Sequence, residues 1–391
     1  MMKLLLKIVL VVVLLLLLAF FFVLPPLADR SANRVAEGEL APPSDSAQAL
    51  HPELWIADLH ADVLLWNRNI LKSHDHGHVD VPRLQQGNVA LQAFTIVSKT
   101  PFGLNFESNS ADSDMLTFLV IAQRWPTRTW FNLTERALYQ SQKLHEFARD
   151  SEGKLSIIKS KEDLSNYMTR RDSEPDITAG FLGIEGAQVL EGQLSNVQAL
   201  FDAGFRMMAP THFFDTEVGG SAHGVEKGGL TELGRQMIAE MESLGMIVDL
   251  AHASSKTIDD VLAIATKPVF NSHTGVKGTC DNTRNLSDAQ LRGIAATGGV
   301  IGVAFFPGAT CGDDIDSIVR AMQYAVDIVG VEHVGLGSDF DGAVQTPFDA
   351  ANIIQLTDAL LKAGFSGDDI ALIMGGNVRR VLMQALPDSD S

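Results

Sequence analysis

Basic residues are scarce in this sequence of 391 residues, which has 30 Lys and Arg against 48 Asp and Glu and a net charge of −18. It contains no block of basic residues that would bind phosphate groups, so nucleic acid is not expected as a partner. Charged residues make up only 20% and apolar residues 46%, which excludes a mostly disordered chain. The length fits either one large α/β barrel or two medium domains.

Long apolar runs are also rare, and the one present lies at the N-terminus. It comprises the 17 residues 8–24, preceded by Lys3 and Lys7 and followed by Pro25 and Pro26. This length is the lower limit for a helix that spans a bilayer. Residues 1–27 are therefore predicted to be a transmembrane anchor or an export signal. The positive charges before the run predict that the remaining chain is exported to the periplasmic side of the inner membrane, anchored by this segment or cleaved from it.

Residues 28–50 are polar and contain prolines, and we interpret them as a linker. Beyond them, short apolar runs alternate with longer amphipathic stretches, which predicts a (β/α)8 TIM-type barrel over residues 51–391. A doubly wound sheet would use the same strands. An insertion at 100–176 is expected to contain helices at 113–124 and 134–149. The eight predicted strands are 55–59, 89–97, 177–184, 205–210, 246–250, 268–271, 299–305 and 334–337.

Residues that bind metals or transfer protons follow six of these eight runs. In a barrel, the carboxyl ends of all strands converge on one face, where such enzymes place their chemistry. In an open sheet the same residues would be spread along an edge. Their positions therefore favour the barrel and predict one joint site, whose candidate members are His60, Asp62, Glu185, His212, His252, His273 and Asp339.

The candidate residues suit a site for two metal ions. His60 and Asp62 are two positions apart and can hold one ion with an imidazole nitrogen and a carboxylate oxygen. His252 and His273, at the ends of consecutive predicted strands, can hold a second ion, and Glu185 can bridge the two. Two bridged divalent ions stabilise the attacking and leaving oxygens of a hydrolysis and lower the pKa of a shared water.

Several segments also carry a family resemblance, in the order DLHAD, GIEGAQVL, GMIVDLAHAS, PVFNSHTGV, NTRNLSDAQL and VGLGSDFDG. Over about residues 52–385 the chain resembles the membrane (renal-type) dipeptidases, which are zinc metallopeptidases of the amidohydrolase-like barrel group. The resemblance implies hydrolysis of dipeptides, including those with a C-terminal D-residue, by a hydroxide that bridges two zinc ions per chain. It also implies a homodimer.

The resemblance assigns a role to each matched metal ligand. It makes His60 and Asp62 the ligands of the first zinc and Glu185 the bridging carboxylate. It makes His252 and His273 the ligands of the second zinc.

Three further residues match the family's catalytic and substrate-binding positions. By resemblance, Asp339 is the catalytic acid and base, and His212 polarises the scissile carbonyl. Arg284 binds the terminal carboxylate of the substrate, which suits the forked donors of a guanidinium. No tyrosine near 305–309 matches one that lies beside this carboxylate in mammalian relatives. Carboxylate recognition is therefore expected to rest more heavily on Arg284.

The only two cysteines are Cys280 and Cys311. An even pair in an exported domain favours a disulfide, and mammalian relatives have one at a similar place.

His223 lies in a glycine-rich stretch and is expected to be a solvated loop residue. Two functions other than a dipeptidase remain open. One is another binuclear-metal barrel hydrolase, such as a lactonase, a phosphotriesterase or an N-acyl amino-acid amidase, and the other is a non-catalytic peptide-binding protein.

Overall fold

Eight parallel strands form the centre of the computed structural model, which describes residues 1–389. Each strand pairs with the next one along the chain, from β1 to β5 and from β6 to β8. The last strand pairs with the first through Leu336 and Asp58, and a parallel bridge between Asp249 and Phe270 joins the two remaining neighbours. The strands are β1 Ile56–Ala61, β2 Val89–Val97, β3 Thr178–Glu185, β4 Phe205–Met208, β5 Ile247–Val248, β6 Phe270–Thr274, β7 Val300–Val303 and β8 Val334–Leu336.

The predicted barrel is therefore confirmed, and the last two residues of the predicted domain 51–391 lie outside the described part. Every residue of β2 is buried, as expected for a strand with packed layers on both sides. The strand boundaries differ from the prediction by a few residues. Because β1 extends to Ala61 and β6 to Thr274, His60 and His273 lie within strands rather than after them.

Helices surround the barrel and return the chain to the start of each next strand. Many begin at a side-chain cap, and at one of them Ser287 and Gln290 form a reciprocal capping box. In chain order, the helices are Met2–Leu18, Leu24–Ala32, Asp45–Leu50, Val81–Gln86, Leu116–Ala122, Leu133–Asp150, Lys161–Arg171, Asn196–Asp202, Glu232–Leu244, Ser255–Ile264, Asp288–Ala296, Pro307–Thr310, Ile315–Val329, Ile354–Lys362, Gly367–Ala371 and Asn377–Ala385.

The insertion after β2 contains both predicted helices, at Leu116–Ala122 and Leu133–Asp150. It also contains a helix at Lys161–Arg171 and a strand at Leu155–Ile157 that pairs in parallel with β3. This strand is not among the eight predicted from the sequence. Three residues are too few to show an alternating pattern. The strand forms because β4 pairs with β3 only from Leu182 onward, which leaves residues 178–180 of β3 free to pair with it.

The N-terminal apolar run lies in one helical stretch, Met2–Ala32, which is long and apolar enough to cross a membrane. Anchors and signal sequences share this pattern. A wider π-helical turn at Ala19–Val23 precedes Pro25 and Pro26. The two prolines have no N–H to donate to the preceding turn, which accounts for the local widening.

The segment predicted as a linker, 28–50, is ordered and packs against the barrel. Arg34–Val35 pairs in parallel with Gln345–Thr346, and Asp45–Leu50 is helical. Asp29 is buried and pairs with Arg68, with 2.9 Å between Oδ2 and Nε. The pairing partners at 345–346 lie about three hundred residues away in the chain, so local composition did not indicate these contacts.

Candidate active site

All seven predicted strand-end residues are buried at the carboxyl end of the barrel. Glu185, the last residue of β3, lies at the centre of the group. Its Oε1 is 2.9 Å from Nε2 of His252, 3.4 Å from Nε2 of His273 and 3.6 Å from Nε2 of His60. Its Oε2 is 3.2 Å from Nε2 of His212. One carboxylate therefore contacts histidines from four different strand ends.

A second group of carboxylates lies beside His60. Nε2 of His60 is 3.5 Å from Oδ1 of Asp62 and 3.9 Å from Oδ1 of Asp339. Within each of three sets of side chains, one potential ligand atom per residue lies within 4.8 Å of the others. Those sets are His60 with Glu185 and His273, Glu185 with His212 and His252, and His60 with Asp62 and Asp339.

Two of these residues have a backbone conformation that side chains rarely adopt. His252 has a φ of 59° and Asp339 a φ of 62°, both in the left-handed region. Such conformations cost of order 1 kcal/mol or more and persist only where the surroundings hold them, which is common at active sites. Both residues lie in loops just after strands, and their side chains belong to the buried group around Glu185 and His60.

Polar residues that the sequence analysis did not single out orient the candidate ligands. Ser272 Oγ lies 3.2 Å from Nδ1 of His60 and 2.9 Å from Nδ1 of His273. Thr95 donates to Oδ1 of Asp62 at 2.7 Å. These contacts direct each ring or carboxylate toward the centre of the group. The only sequence signal for Ser272 was its position next to a candidate ligand.

The carboxyl groups of the site have unusual proton affinities because burial disfavours their charged forms. Burial, together with the charge of Asp62, raises the pKa of Glu185 well above its usual value. The same two causes raise the pKa of Asp339 to about 7. Burial lowers the proton affinity of His60, but the charges of Asp62 and Glu185 outweigh it and raise its pKa to about 10. Glu185 and Asp339 therefore bind protons more readily than ordinary carboxyl groups do, and His60 holds its proton more tightly than an ordinary histidine.

The other three histidines are held neutral. Burial lowers the pKa of His212, His252 and His273 well below the usual value, and the nearby Arg284 lowers each of them further. Their imidazoles therefore keep unprotonated nitrogens at neutral pH, which is the form that binds metal ions. The guanidinium of Arg284 lies in the loop after β6, where Nη2 donates to the His273 carbonyl at 2.7 Å.

The loops around the site bury His223 and contain the disulfide. His223 was expected to be solvated but is buried, with its ring centroid 5.3 Å from that of His252. The reason is a hydrogen bond from its Nδ1 to the carbonyl of Phe106, 2.8 Å away in the insertion after β2. Cys280 and Cys311 form the predicted disulfide, with 5.4 Å between their Cα atoms. The bond joins the loops that follow β6 and β7.

The family model of the membrane dipeptidases, peptidase family M19, matches residues 44–388 of the chain. The chain belongs to this family. It is therefore a dipeptidase of a metallopeptidase family, and the resemblance found in the sequence is confirmed. Among curated members, dipeptidase aclJ of Aspergillus oryzae is 28% identical over 348 residues, which is 84% of this chain and 77% of the relative. An uncharacterized dipeptidase of Schizosaccharomyces pombe is 30% identical over 329 residues, which is 80% of this chain and 74% of the relative.

Solved structures of M19 peptidases and probable dipeptidases share the fold. The probable dipeptidase PvdM from Pseudomonas aeruginosa matches with a TM-score of 0.72 and 21% identity, over 87% of this chain and 97% of PvdM. A metallo peptidase from Rhodobacter sphaeroides matches with a TM-score of 0.70 and 23% identity, over 85% of this chain and 99% of the other. Its structure contains a phosphinate mimic of the dipeptide L-Ala-D-Ala. At these identities the likeness supports the barrel architecture.

Proposed function

We propose that this M19 dipeptidase hydrolyses dipeptides with two zinc ions held at the carboxyl end of the barrel. The observation that carries the proposal is the position of Glu185, whose two carboxylate oxygens lie within 3.6 Å of four histidine nitrogens. A carboxylate at the centre of such a group suits a ligand shared by two cations.

The donor set fits zinc. It offers imidazole nitrogens and carboxylate oxygens, both of which are common zinc ligands. Nε2 of His60 is buried without a hydrogen-bond partner among the described residues. The Nε2 atoms of His252 and His273 lie only 2.9 Å apart at the same centre. A cation bound at this point would stabilise the buried nitrogens and the carboxylates around them.

The ligands divide between two neighbouring positions. His60 and Asp62 would hold the first ion, and His252 and His273 the second, with Glu185 shared by both. When bound, two zinc ions would lower the pKa of a water molecule between them and polarise the substrate carbonyl. Asp339 faces the first position and would accept the proton of the attacking water and donate it to the leaving amine. His212 would stabilise the negative charge that develops on the carbonyl oxygen.

Arg284 would bind the terminal carboxylate of the substrate. Its guanidinium is buried, and its Nη1 has no hydrogen-bond partner among the described residues. A buried, partly unpaired guanidinium is a binding site for an anion because two of its N–H groups can contact one carboxylate. A fixed contact at the C-terminus of the substrate, close to the metal ligands, would select short peptides by length.

We further propose that a D-residue is accepted at the C-terminal position. The support is the L-Ala-D-Ala mimic in the structure of the Rhodobacter sphaeroides relative. The test is the release of amino acids from L-Ala-L-Ala and L-Ala-D-Ala by purified protein whose metal content is measured on the same sample. Turnover that needs about two zinc ions per chain and disappears for N-acetylated, C-amidated dipeptides is expected. Two bound metals without dipeptide hydrolysis would show that the substrate belongs to another class.

The helix Met2–Ala32 is proposed to remain attached as a membrane anchor, with the barrel on the periplasmic side of the inner membrane. The support is that its last turns are part of the folded domain, since Pro25, Asp29 and the following Asn33 are buried. Membrane fractionation with N-terminal sequencing will test the anchor.

A homodimer stays a prediction from the family, and light scattering of the detergent-purified protein will test it.

A further inference from the structure

Several large apolar side chains are exposed on the insertion that follows β2. Phe102, Met115, Phe118 and Phe131 are exposed by 55%, 43%, 56% and 80%, respectively, and the rings of Phe102 and Phe118 lie 5.9 Å apart. We call these four residues the apolar rim. Soluble proteins rarely expose several large apolar side chains on one segment unless that surface contacts a partner or a membrane.

The insertion lies directly beside the last turns of the N-terminal helix. Leu116–Ala122 contacts both the Ala19–Val23 turn and the following Leu24–Ala32 helix. The guanidinium of Arg124 lies over the ring of Phe22, 4.7 Å from its centroid. The apolar rim therefore borders a helix that is itself apolar and exposed over residues 8–18.

The length of the apolar run determines where this contact lies in a bilayer. A helix of 17 residues measures about 26 Å, slightly less than the hydrocarbon thickness of about 30 Å. Because the run ends at Leu24, Ala19–Val23 lies in the outer part of the hydrocarbon region, close to the headgroups. Whatever packs against that turn lies at the boundary between lipid tails and headgroups. A guanidinium placed over Phe22 suits this depth because its stem contacts apolar groups while its charge reaches the headgroups.

The same insertion reaches the mouth of the active site. Phe106 accepts a hydrogen bond from His223, and Asn109 donates to the carbonyl of Phe213 at 3.2 Å. The residues that hold the N-terminal helix also lie on this side, since Asn33 accepts from the amide of Ala343 in the loop after β8. The anchor therefore leaves the barrel from the face that carries the catalytic residues.

We propose that the apolar rim inserts into the headgroup boundary of the membrane beside the anchor, so that the mouth of the active site faces the lipid surface. The inference rests on the anchoring proposed above. The partner is the bilayer itself, because the rim borders a helix that the bilayer would surround. Dipeptides would then reach the catalytic residues along the membrane surface.

The two native cysteines are joined, so an introduced cysteine is the only free thiol among the described residues. The experiment places a nitroxide label on full-length Phe118→Cys and Phe131→Cys, with Met383→Cys as the matched control. Met383 is exposed on Asn377–Ala385, a helix whose first residue donates to the carbonyl of Val334 at the start of β8. The proteins are reconstituted in phosphatidylethanolamine–phosphatidylglycerol vesicles, and collisions of each label with oxygen and with a water-soluble nickel chelate are measured.

The expected result is an oxygen-to-nickel accessibility ratio several-fold higher at both rim positions than at Met383, with dipeptide turnover unchanged in all three variants. Equal ratios at the three positions in protein that floats with the vesicles would overturn the proposal. Rim labels shielded from both reagents would overturn it as well, since a second protein copy would then cover the rim. Failure to float would overturn the anchoring together with the rim, whereas loss of turnover in the unlabelled wild type would contradict only the catalytic proposal.

Discussion

The carboxyl group of Asp339 is buried beside two other acids, and its pKa of about 7 allows it to accept and release a proton near neutral pH. We predict that Asp339→Asn keeps both metal ions but lowers kcat by about 10²- to 10⁴-fold, the usual contribution of a general acid and base. Metal analysis and steady-state kinetics on the same preparation check this. The exposed Asp368→Asn is the control and should retain wild-type turnover. Near-normal kcat in Asp339→Asn would remove this residue from the mechanism.

Arg284 offers a test of substrate recognition that is separate from the chemical step. Removing a charge-assisted hydrogen bond costs about 1.5 to 3 kcal/mol, so Arg284→Gln should lower kcat/KM for free dipeptides by about 10- to 100-fold. The loss should be concentrated in KM. The exposed Arg292→Gln on the next helix should have no effect.

C-amidated dipeptides provide the contrasting substrate, because they lack the carboxylate that Arg284 is proposed to bind. The preference for free over amidated dipeptides should shrink in Arg284→Gln. An unchanged preference would mean that other groups recognise the substrate's C-terminus.

At the scale of elements, the loop after β8 is tied to the loop after β1 by a buried ion pair. Nη2 of Arg68 lies 2.7 Å from Oδ1 of Asp341, two residues after Asp339. The backbone amides of His78 and Val79 also donate to this carboxylate. Burial alone would raise the pKa of Asp341, but the charge of Arg68 and these hydrogen bonds outweigh it and hold the pKa well below its usual range.

The low pKa of Asp341 predicts how stability depends on pH. The unfolded carboxyl binds a proton at higher pH than the folded one. The contribution of the Asp341 carboxylate to the free energy of unfolding is therefore fully present above about pH 5 and is lost as the pH falls below about 4. The free energy of unfolding of the wild type should therefore exceed that of Asp341→Asn at neutral pH, and the difference should shrink toward pH 3. Urea titrations across this range measure it. A difference independent of pH would show that the ion pair does not control the titration.

The disulfide connects two loops on the active-site face, including the loop that carries Arg284. Cys280 and Cys311 are 31 residues apart, and closing a loop of that length stabilises a protein by about 3 to 4 kcal/mol in the chain-entropy model. The double variant Cys280→Ser with Cys311→Ser should lower the melting temperature by several degrees. It should also raise KM more than it lowers kcat, since Arg284 loses its support. Calorimetry and kinetics check both effects, and a melting temperature equal to that of the wild type would contradict the first.

At the scale of the whole molecule, the segment between the N-terminal apolar helix and the barrel is part of the folded domain. A chain that begins at residue 24 keeps Asp29, Asn33 and the short strand pairing, whereas one that begins at residue 37 loses all three. The longer chain should match the full-length barrel in stability. The free energy of unfolding of the shorter chain should be lower by about 1.5 to 3 kcal/mol, the usual contribution of a hydrogen bond to a charged group. The reason is that Arg68 then lacks one of its two partners. Equal unfolding midpoints would show that the segment is dispensable.

Much of the site was already visible in the sequence. The eight apolar runs marked the strands because buried parallel strands are almost continuously apolar. Histidines and carboxylates at their ends marked the site because all these ends meet on one face of a barrel. The fold class followed from these local patterns, with strand boundaries accurate to a few residues, whereas the family followed from the resemblance of ordered motifs and the disulfide from an even cysteine pair together with that resemblance. The roles of the catalytic residues stay predictions.

Only the tertiary structure determined which distant residues meet. Burial of His223, the role of Ser272 between two histidines and the pairing of Asp29 with Arg68 depend on loops that are far apart in the sequence. Local composition carries no signal for such contacts, since polar loop residues look alike until the barrel brings their partners together. The same holds for the apolar rim, whose position beside the N-terminal helix follows from packing of the insertion after β2 against residues 19–32.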